Sequence, residues 1–524
     1  MRRVNRVAAL LAAPAVLLAA CAVGPSDRPA VAVRDAPLPP VPPSSAPPTA
    51  PLPPLTPSDP DVINFGDCPV SVRRELGAAA TRELRYECAT VTVELNPDEP
   101  RRRAGATEIG ILRVGSGPVP LVVVGDVAGE PGSLLAARLA NQVPPEFLTS
   151  FALVGVDRRG TGSSDPVTCV PGDVREELVS IDPGAEQPRG AERVLDAANL
   201  ATRTCVQQIE EALSLIDSWR TAADLDEVRL ALGSERLNAI AVGDGSRVLS
   251  AYLTRYGASA GRIVLDGAPD PNLDAIAVGP DLAAGAEHAL DAFAADCGRT
   301  GCPLAPDPRA AIQAAAEVLR NRPLEANDGT LVSGGTVYGA LLQGLADPAR
   351  WPELAAALAA AASGDVDGLA AFVRPLVEPA GESIGSLPAR LDAALLTTCN
   401  DTATRVPPDR VGSLADEWKA RAPLFGPLFA QRLLVCSPAP VPTTTVPVPR
   451  QPGTPPILVI ATDGDPHTPP AGTQRMAEAL AGGILVNWQG NGHGAFPRTP
   501  CVTGAVQAFL IDGTLPRNGT TCPP

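Results

Sequence analysis

Histidine is scarce in this chain, with three residues in 524. Cysteine is more frequent, with eleven residues, but the sequence contains no C-x-x-C pair and no cluster of cysteine with histidine. Protein metal sites are commonly built from such pairs and clusters. The sequence therefore predicts no metal site.

Positive charge is also in short supply. Lysine and arginine total 42 against 58 aspartates and glutamates, which gives a net charge of −16. Residues 1–20 hold three arginines and no acid, so the rest of the chain carries −19. Nucleic-acid-binding surfaces are basic. This balance argues against a nucleic-acid partner.

The N-terminus has an apolar run that is too short to cross a membrane. Basic residues precede the run Val7–Ala20, which is the pattern of a secretory signal peptide. The run ends in Leu18-Ala19-Ala20-Cys21, which resembles a bacterial lipobox. We predict a signal peptide at 1–20 and lipid on Cys21, which would anchor an extracytoplasmic protein to the bacterial cell membrane. The alternative is an ordinary signal peptide that is cleaved nearby.

Aromatic residues are absent from the segment that follows, and proline dominates it. Fourteen prolines lie between Pro25 and Pro60. Such a segment cannot bury a core and favours extended polyproline II structure. We predict a stalk over 21–62 that holds the globular part away from the membrane. A disordered linker without that role is the alternative.

The ten cysteines that remain after Cys21 are an even set, as expected in an oxidising compartment. They allow up to five disulfides, although sequence alone does not determine the connectivity. Pairing in chain order joins Cys68 with Cys88, Cys169 with Cys205, Cys297 with Cys302, Cys399 with Cys436, and Cys501 with Cys522.

Strand and helix patterns alternate along 63–270 and again along 438–524. The apolar run Val119–Val124 is typical of a buried central strand, and Ala222–Leu232 has helical spacing. Such alternation predicts an α/β protein with a mostly parallel sheet flanked by helices. Residues 271–437 are alanine-rich, helical in pattern and without a clear strand. We therefore predict a helical cap inserted into the sheet domain.

One stretch has the features of a turn that presents a nucleophile. The apolar strand Leu237–Val242 runs into Gly243-Asp244-Gly245-Ser246, and a helix follows. In the nucleophile elbow of α/β-hydrolases, the residues two before and two after the nucleophile are small, because strand and helix nearly touch. Ala241 and Gly245 meet this rule for position 243, whereas the flanks of Ser246 do not. The elbow is retained, but its nucleophile position holds a glycine.

Together with other motifs, this stretch resembles the exported TAP-like α/β-hydrolases, which are relatives of tripeptidyl aminopeptidases and proline iminopeptidases. The resemblance covers about residues 65–522. It implies an α/β-hydrolase fold, a serine mechanism without a cofactor, and a peptide substrate cut near its N-terminus. The motifs are Phe151–Cys169, Ala223–Asn238, Arg262–Pro271, Asp465–Pro469 and Gly490–His493.

Two members of a catalytic triad carry over from the resemblance. His493 falls on the general base, and Asp465 falls on the acid that orients it, with Asp463 as a neighbouring competitor. The chain order of nucleophile, acid and base is that of α/β-hydrolases. A solvated loop histidine is the alternative for His493.

The nucleophile does not carry over. Gly243 occupies the serine position, and glycine has no side chain to attack a carbonyl. Asp244 stands one residue after the nucleophile position. Ser246 stands one turn into the helix, where it remains the candidate for a rearranged nucleophile. The oxyanion loop also departs from the family pattern, because Asp126 and Glu130 stand where N–H groups should meet negative charge. A longer loop that still donates is the alternative.

These departures predict a surface-anchored, monomeric pseudo-enzyme that binds a peptide or small envelope ligand. One alternative is an active exported serine aminopeptidase or esterase that uses Ser246. Another is a structural tether in which only the stalk and lipid matter. An active enzyme needs a hydroxyl or thiol within hydrogen-bond reach of His493. A binding protein needs an enclosed pocket without one, and a tether should have a collapsed pocket.

Overall fold

The computed structural model describes residues 50–58, 63–68, 71–99, 105–185, 189–379, 387–447 and 453–524. The predicted signal peptide, the lipidation site Cys21 and most of the predicted stalk lie outside these ranges. Within them, no helix combines the length and the hydropathy that a membrane span requires.

The strands of the described residues form one large sheet and one small hairpin. They are β1 (Tyr86–Glu94), β2 (Ala106–Val114), β3 (Val119–Val124), β4 (Phe151–Val156), β5 (Leu237–Val242), β6 (Ala260–Asp266), β7 (Leu324–Glu325), β8 (Leu331–Val332), β9 (Ile457–Gly464), β10 (Gly483–Asn491) and β11 (Thr520–Cys522).

The large sheet has nine strands in the order β1-β2-β4-β3-β5-β6-β9-β10-β11. Strand β2 pairs antiparallel with β1 and β4. Every other neighbouring pair is parallel. This confirms the predicted mostly parallel sheet and the α/β-hydrolase fold.

The α-helices of the described residues cover the sheet and build the region between β6 and β9. They are α1 (Val72–Leu76), α2 (Gly132–Gln142), α3 (Pro145–Ser150), α4 (Gly172–Val179), α5 (Arg189–Ile209), α6 (Ser218–Ala231), α7 (Gly245–Tyr256), α8 (Ala275–Thr300), α9 (Pro308–Asn321), α10 (Gly334–Leu345), α11 (Trp351–Ala361), α12 (Asp367–Val377), α13 (Leu391–Asp401), α14 (Pro408–Lys419), α15 (Phe425–Arg432), α16 (Pro470–Ala479) and α17 (Pro500–Gln507).

Both faces of the sheet are buried, as its continuous apolar strands require. Alternate residues of a strand point to opposite faces, and β3 shows this directly. Leu121 and Val123 join a hydrophobic cluster with residues of α2, α3 and α17. Val122 and Val124 join a second cluster with residues of α6, α7 and α16. The central strands are therefore fixed by packing on two sides.

The chain between β6 and β9 is mainly helical, and most of its helices share a third hydrophobic cluster. That cluster also takes in Val179 of α4 and Val194 of α5. The hairpin β7–β8 in this region differs from the prediction of helices alone. Its strands have two residues each, which is too few for an alternating sequence pattern to reveal.

The end of the predicted stalk packs on the domain. Ala50 N–H donates to the Thr454 carbonyl at 3.2 Å, and Arg262 Nε donates to the Pro53 carbonyl at 3.1 Å. Leu52 and Leu55 pack against a core cluster. Prolines keep the segment extended and leave its carbonyls free to accept, while the leucines between them supply apolar contact.

The described residues contain five disulfides, which join the cysteines pairwise in chain order as suggested. The longest loops are closed by Cys169–Cys205 and Cys399–Cys436, with separations of 36 and 37 residues. Closing long loops removes the most conformational freedom from the unfolded chain. These two bridges therefore contribute most to constraining it.

Candidate active site

The candidate site lies where parallel strands of the large sheet end. Asp126 follows β3, Gly243 follows β5, Asp465 follows β9 and His493 follows β10 within two residues of each strand. The carboxyl ends of parallel strands meet at one edge of a sheet, and ligand sites of α/β proteins form there. The topology thus brings together residues that are up to 367 positions apart.

The nucleophile elbow is formed, but without a side chain. Gly243 has a φ of +59°, a conformation that side chains rarely adopt. Its N–H donates to the Asp266 carbonyl at 2.9 Å. A Cβ on Gly245 would lie 2.7 Å from the Val124 carbonyl oxygen, so only glycine fits where α7 approaches β3. The sharp turn of a hydrolase is retained around an empty nucleophile position.

Asp465 and His493 are in direct contact. The His493 Nδ1 atom lies 3.0 Å from each Asp465 carboxylate oxygen. Asp465 is fully buried and also accepts hydrogen bonds from the Thr468 side chain and backbone. Asp463, the neighbouring competitor, is exposed. The structure therefore pairs His493 with Asp465 in the arrangement of an acid that orients a base.

The other face of His493 contacts a second carboxylate, from Asp126. The distance from His493 Nε2 to Asp126 Oδ2 is 2.6 Å. A serine hydroxyl would stand at this nitrogen in a working triad. A Cβ built on Gly243 would lie 2.1 Å from Asp126 Oδ1. The Asp126 carboxylate therefore fills the space that a nucleophile side chain would need.

Asp126 also accepts a hydrogen bond from a backbone N–H group that would serve as a donor in an oxyanion hole. Its Oδ1 accepts the N–H of Asp244, the residue after the nucleophile position, at 2.7 Å. In return, Asp244 Oδ1 accepts the N–H of Val127 at 2.9 Å, and Arg158 pairs with the same oxygen at 2.6 Å. Both N–H groups that could stabilise an oxyanion are thus donated to aspartates of the chain itself.

The His493 ring lies between two carboxylates of opposite charge to its protonated form. Burial opposes the charge of Asp126, but the positive His493 beside it outweighs burial and lowers the pKa of Asp126 to about 2. Burial likewise opposes the charge of His493, yet Asp465 and Asp126 hold its pKa well above the ordinary value. The two contacts therefore favour an imidazolium between two carboxylates, whereas a general base must be neutral to accept a proton.

Comparison with known proteins agrees with this architecture. Residues 422–522 match the family described as TAP-like protein. The serine protease Hip1 of Mycobacterium tuberculosis (strain ATCC 25618 / H37Rv) is 28% identical over 458 residues, which cover 83% of this chain and 87% of the relative. Over residues 422–522 the chain is thus similar to TAP-like proteins. The tripeptidyl aminopeptidase of Streptomyces lividans is 25% identical over 410 residues, covering 76% of this chain and 75% of that one.

A solved thermophilic esterase from Thermogutta terrifontis covers 81% of this chain and 98% of its own, with a TM-score of 0.35 and 14% identity.

The structure does not bring Ser246 to the base. This serine is fully buried in the first turn of α7, and its hydroxyl has no hydrogen-bond partner among the described residues. The ring nitrogens of His493 are taken by Asp126 and Asp465. No hydroxyl or thiol of the described residues therefore makes the contact that a TAP-like serine mechanism requires.

The cleft beside Asp126 is narrow. Its cavity measures about 20 Å³ and is lined by the turns after β3 and β4 and by the start of α13. A volume of this order holds roughly one water molecule. The cleft that these described residues line therefore has no room for a peptide side chain.

Two features of the site were not evident from the sequence. The sequence indicates Asp126 only as an acid misplaced in the oxyanion loop, whereas in the structure it contacts His493 directly. Asp266 accepts the N–H groups of Ala495 and Phe496 at 2.8–2.9 Å and so fixes the loop that carries His493.

Glu130, the other acid in the oxyanion loop, does not face the site and pairs with Arg138 at 2.6 Å instead. Only the fold of the loop determines which acid turns inward.

Proposed function

We propose that this chain is a catalytically silent TAP-like hydrolase of the bacterial cell envelope, which acts by binding a peptide or another envelope ligand. The observation that carries the proposal is the 2.6 Å contact of His493 Nε2 with the Asp126 carboxylate beside the side-chain-free Gly243. The chain order and pairing of Asp465 and His493 are those of a hydrolase. The third member of the triad is missing.

The loss of activity follows from the chemistry of acyl transfer. A serine enzyme forms an acyl-enzyme on its hydroxyl and stabilises the oxyanion with N–H groups. Removing the nucleophile alone costs on the order of 10⁶ in turnover in a serine protease. Here the nucleophile is absent and the oxyanion donors already hold carboxylates, so both contributions are lost together.

Asp126 is a poor substitute for the serine. With a pKa of about 2 it is a weakly basic carboxylate, and both of its oxygens accept strong hydrogen bonds. Its attack on a peptide carbonyl would expel an amine and form a mixed anhydride, which is a much less stable product than an ester. We therefore assign Asp126 a structural role in closing the cleft.

The envelope location is supported by two features. Five disulfides are typical of proteins from oxidising compartments. The apolar N-terminal run and the Leu18-Ala19-Ala20-Cys21 sequence favour export and lipid attachment at Cys21. Mass spectrometry of the protein from its native membrane tests this, since a diacylglyceryl adduct on an N-terminal Cys21 is expected.

Labelling with a fluorophosphonate serine probe, read by intact mass, tests whether the protein lacks serine-hydrolase activity. We expect no label on the wild type, because no hydroxyl faces His493. Gly243→Ser should also stay unlabelled, because its new Cβ would collide with Asp126. The double variant Gly243→Ser with Asp126→Ala should be labelled, because it restores the hydroxyl and frees the Asp244 N–H, which is one of the two oxyanion donors.

The controls separate the alternatives. Adding His493→Gln to the double variant should abolish labelling if the restored serine relies on the retained base. Labelling of the wild type that disappears in Ser246→Ala would overturn the proposal in favour of an active enzyme. Full labelling of Gly243→Ser alone would show that Asp126 does not block the site.

A further inference from the structure

A large groove opens on the side of the molecule where α4 and α5 pack against the helices that follow β6. We call it the acidic groove. Its volume is about 550 Å³, and its walls come from α4, α5, β8 and the start of α10. It shares no lining residue with the cleft at Asp126. It therefore offers a ligand far more room than the closed cleft does.

Apolar side chains are exposed in this groove. Among the described residues, seven large apolar side chains are exposed, and two of them, Leu200 at 38% and Leu331 at 49%, line the same groove. Scattered exposed leucines need no explanation, but exposed leucines that line one concave surface are typical of binding sites. The two leucines come from α5 and β8, so the fold rather than the local sequence brings them together.

The charge of the groove is negative and only partly compensated. Asp182 is paired with Arg320 at 2.6 Å, and Glu177 with Arg193 at 3.6 Å. The other acids of the lining, Asp173, Glu176 and Asp196, have no ion pair among the described residues. The pKa of Glu176 is raised, chiefly by burial and further by Glu378 and Asp173 nearby. A cation placed here would relieve this repulsion.

We propose that the acidic groove binds a basic peptide segment of a partner protein. Its lysine or arginine side chains would face Asp173, Glu176 and Asp196, and an apolar side chain would lie between Leu200 and Leu331. Charge complementarity supplies the steering and the apolar contact supplies buried area, as in other peptide grooves. The inference does not depend on the state of the cleft, so labelling at Gly243 cannot decide it.

The test uses the purified full-length protein and fluorescence anisotropy of a labelled synthetic peptide of alternating lysine and leucine. Matched peptides carry glutamine in place of lysine or serine in place of leucine. We expect binding that weakens as salt is raised. Each matched peptide should bind about tenfold more weakly or worse, because each lacks one of the two contacts.

Amino-acid substitutions show where on the protein the peptide binds. Neutralising the three unpaired acids (Asp173→Asn, Glu176→Gln, Asp196→Asn) should weaken binding about tenfold. The charge-matched control neutralises three exposed acids of α14 (Asp409→Asn, Asp416→Asn, Glu417→Gln) and should leave binding unchanged. Leu331→Ser should weaken binding, whereas Leu515→Ser, at another exposed leucine, should not.

Equal effects of the two triple variants would show non-specific attraction to an acidic protein and overturn the proposal. Equal affinity for the lysine and glutamine peptides, or no binding of the lysine peptide, would overturn it as well. Thermal unfolding of each variant checks that it is folded before its affinity is compared.

Discussion

Asp126 is the residue at which this chain departs furthest from a hydrolase. Its carboxylate has one oxygen on an oxyanion-type N–H and the other on the histidine, which is the placement that a bound acid product would take. Gly243 and Asp126 explain each other. Any side chain at position 243 would collide with the carboxylate. With glycine at position 243, the Asp126 carboxylate fills the space that the nucleophile side chain would otherwise take.

The raised pKa of His493 predicts a dependence of stability on pH. Its charge stabilises the fold fully below the unfolded pKa of about 6.5, and that contribution is lost as pH rises through the raised folded pKa. The free energy of unfolding in urea should therefore fall between pH 6.5 and more alkaline values. His493→Gln should show a flatter profile over the same range. Parallel profiles for the two proteins would contradict an imidazolium at this site.

At the residue scale, the sequence could predict the acid and the base but not the occupant of the nucleophile position. Asp465 and His493 stand in motifs with fixed spacing, so a resemblance can carry them over. Asp126 stands in a loop that departs from the family pattern, and its inward turn depends on a hydrogen bond to Asp244, 118 residues later. No local pattern encodes such a contact.

At the element scale, the site depends on close approach of helices to strands. A Cβ on Gly155 in β4 would lie 2.2 Å from the Gly132 carbonyl oxygen at the start of α2. The loop that carries Asp126 connects β3 to this helix, so the packing of α2 on β4 helps to set the position of the loop.

We expect Gly155→Ala to destabilise the protein by about 2–3 kcal/mol, because the added methyl group must displace the backbone of α2. Gly298→Ala is the matched control. It lies in the exposed last turns of α8, where a Cβ would meet nothing within 4 Å. It should stabilise the protein by about 0.5 kcal/mol through helix propensity. Urea unfolding of both variants checks this, and similar losses in the two would contradict the packing argument.

Continuous apolar strands were the easiest elements to predict, because two buried faces leave a run of six apolar residues, as in Val119–Val124. Helix starts were harder. Helix α7 begins at Gly245, directly after the turn, although the glycine and serine that open it are weak helix formers. Segment 50–58 was predicted as stalk because its prolines outweigh the leucines that attach it to the core.

At the scale of the whole molecule, the cleft at Asp126 is too small for a ligand, whereas the acidic groove is large enough to hold one. A cleft of about 20 Å³ corresponds to the collapsed pocket expected of a tether, so the narrow cleft does not favour the pocket as a ligand site. The acidic groove of about 550 Å³ moves the proposed binding role to the outer surface. Its walls span residues 173–334, and no motif in the sequence indicates it.

The protonation of His493 can be observed directly by ¹⁵N nuclear magnetic resonance of the histidine side chains. The chain has three histidines, so His493→Gln assigns the signal. We expect both ring nitrogens of His493 to stay protonated at neutral pH, with low-field N–H protons in contact with Asp126 and Asp465, and we expect Asp126→Asn to shift the Nε2 signal. A neutral His493 that titrates near its ordinary pKa and is indifferent to Asp126→Asn would contradict an imidazolium held between two carboxylates.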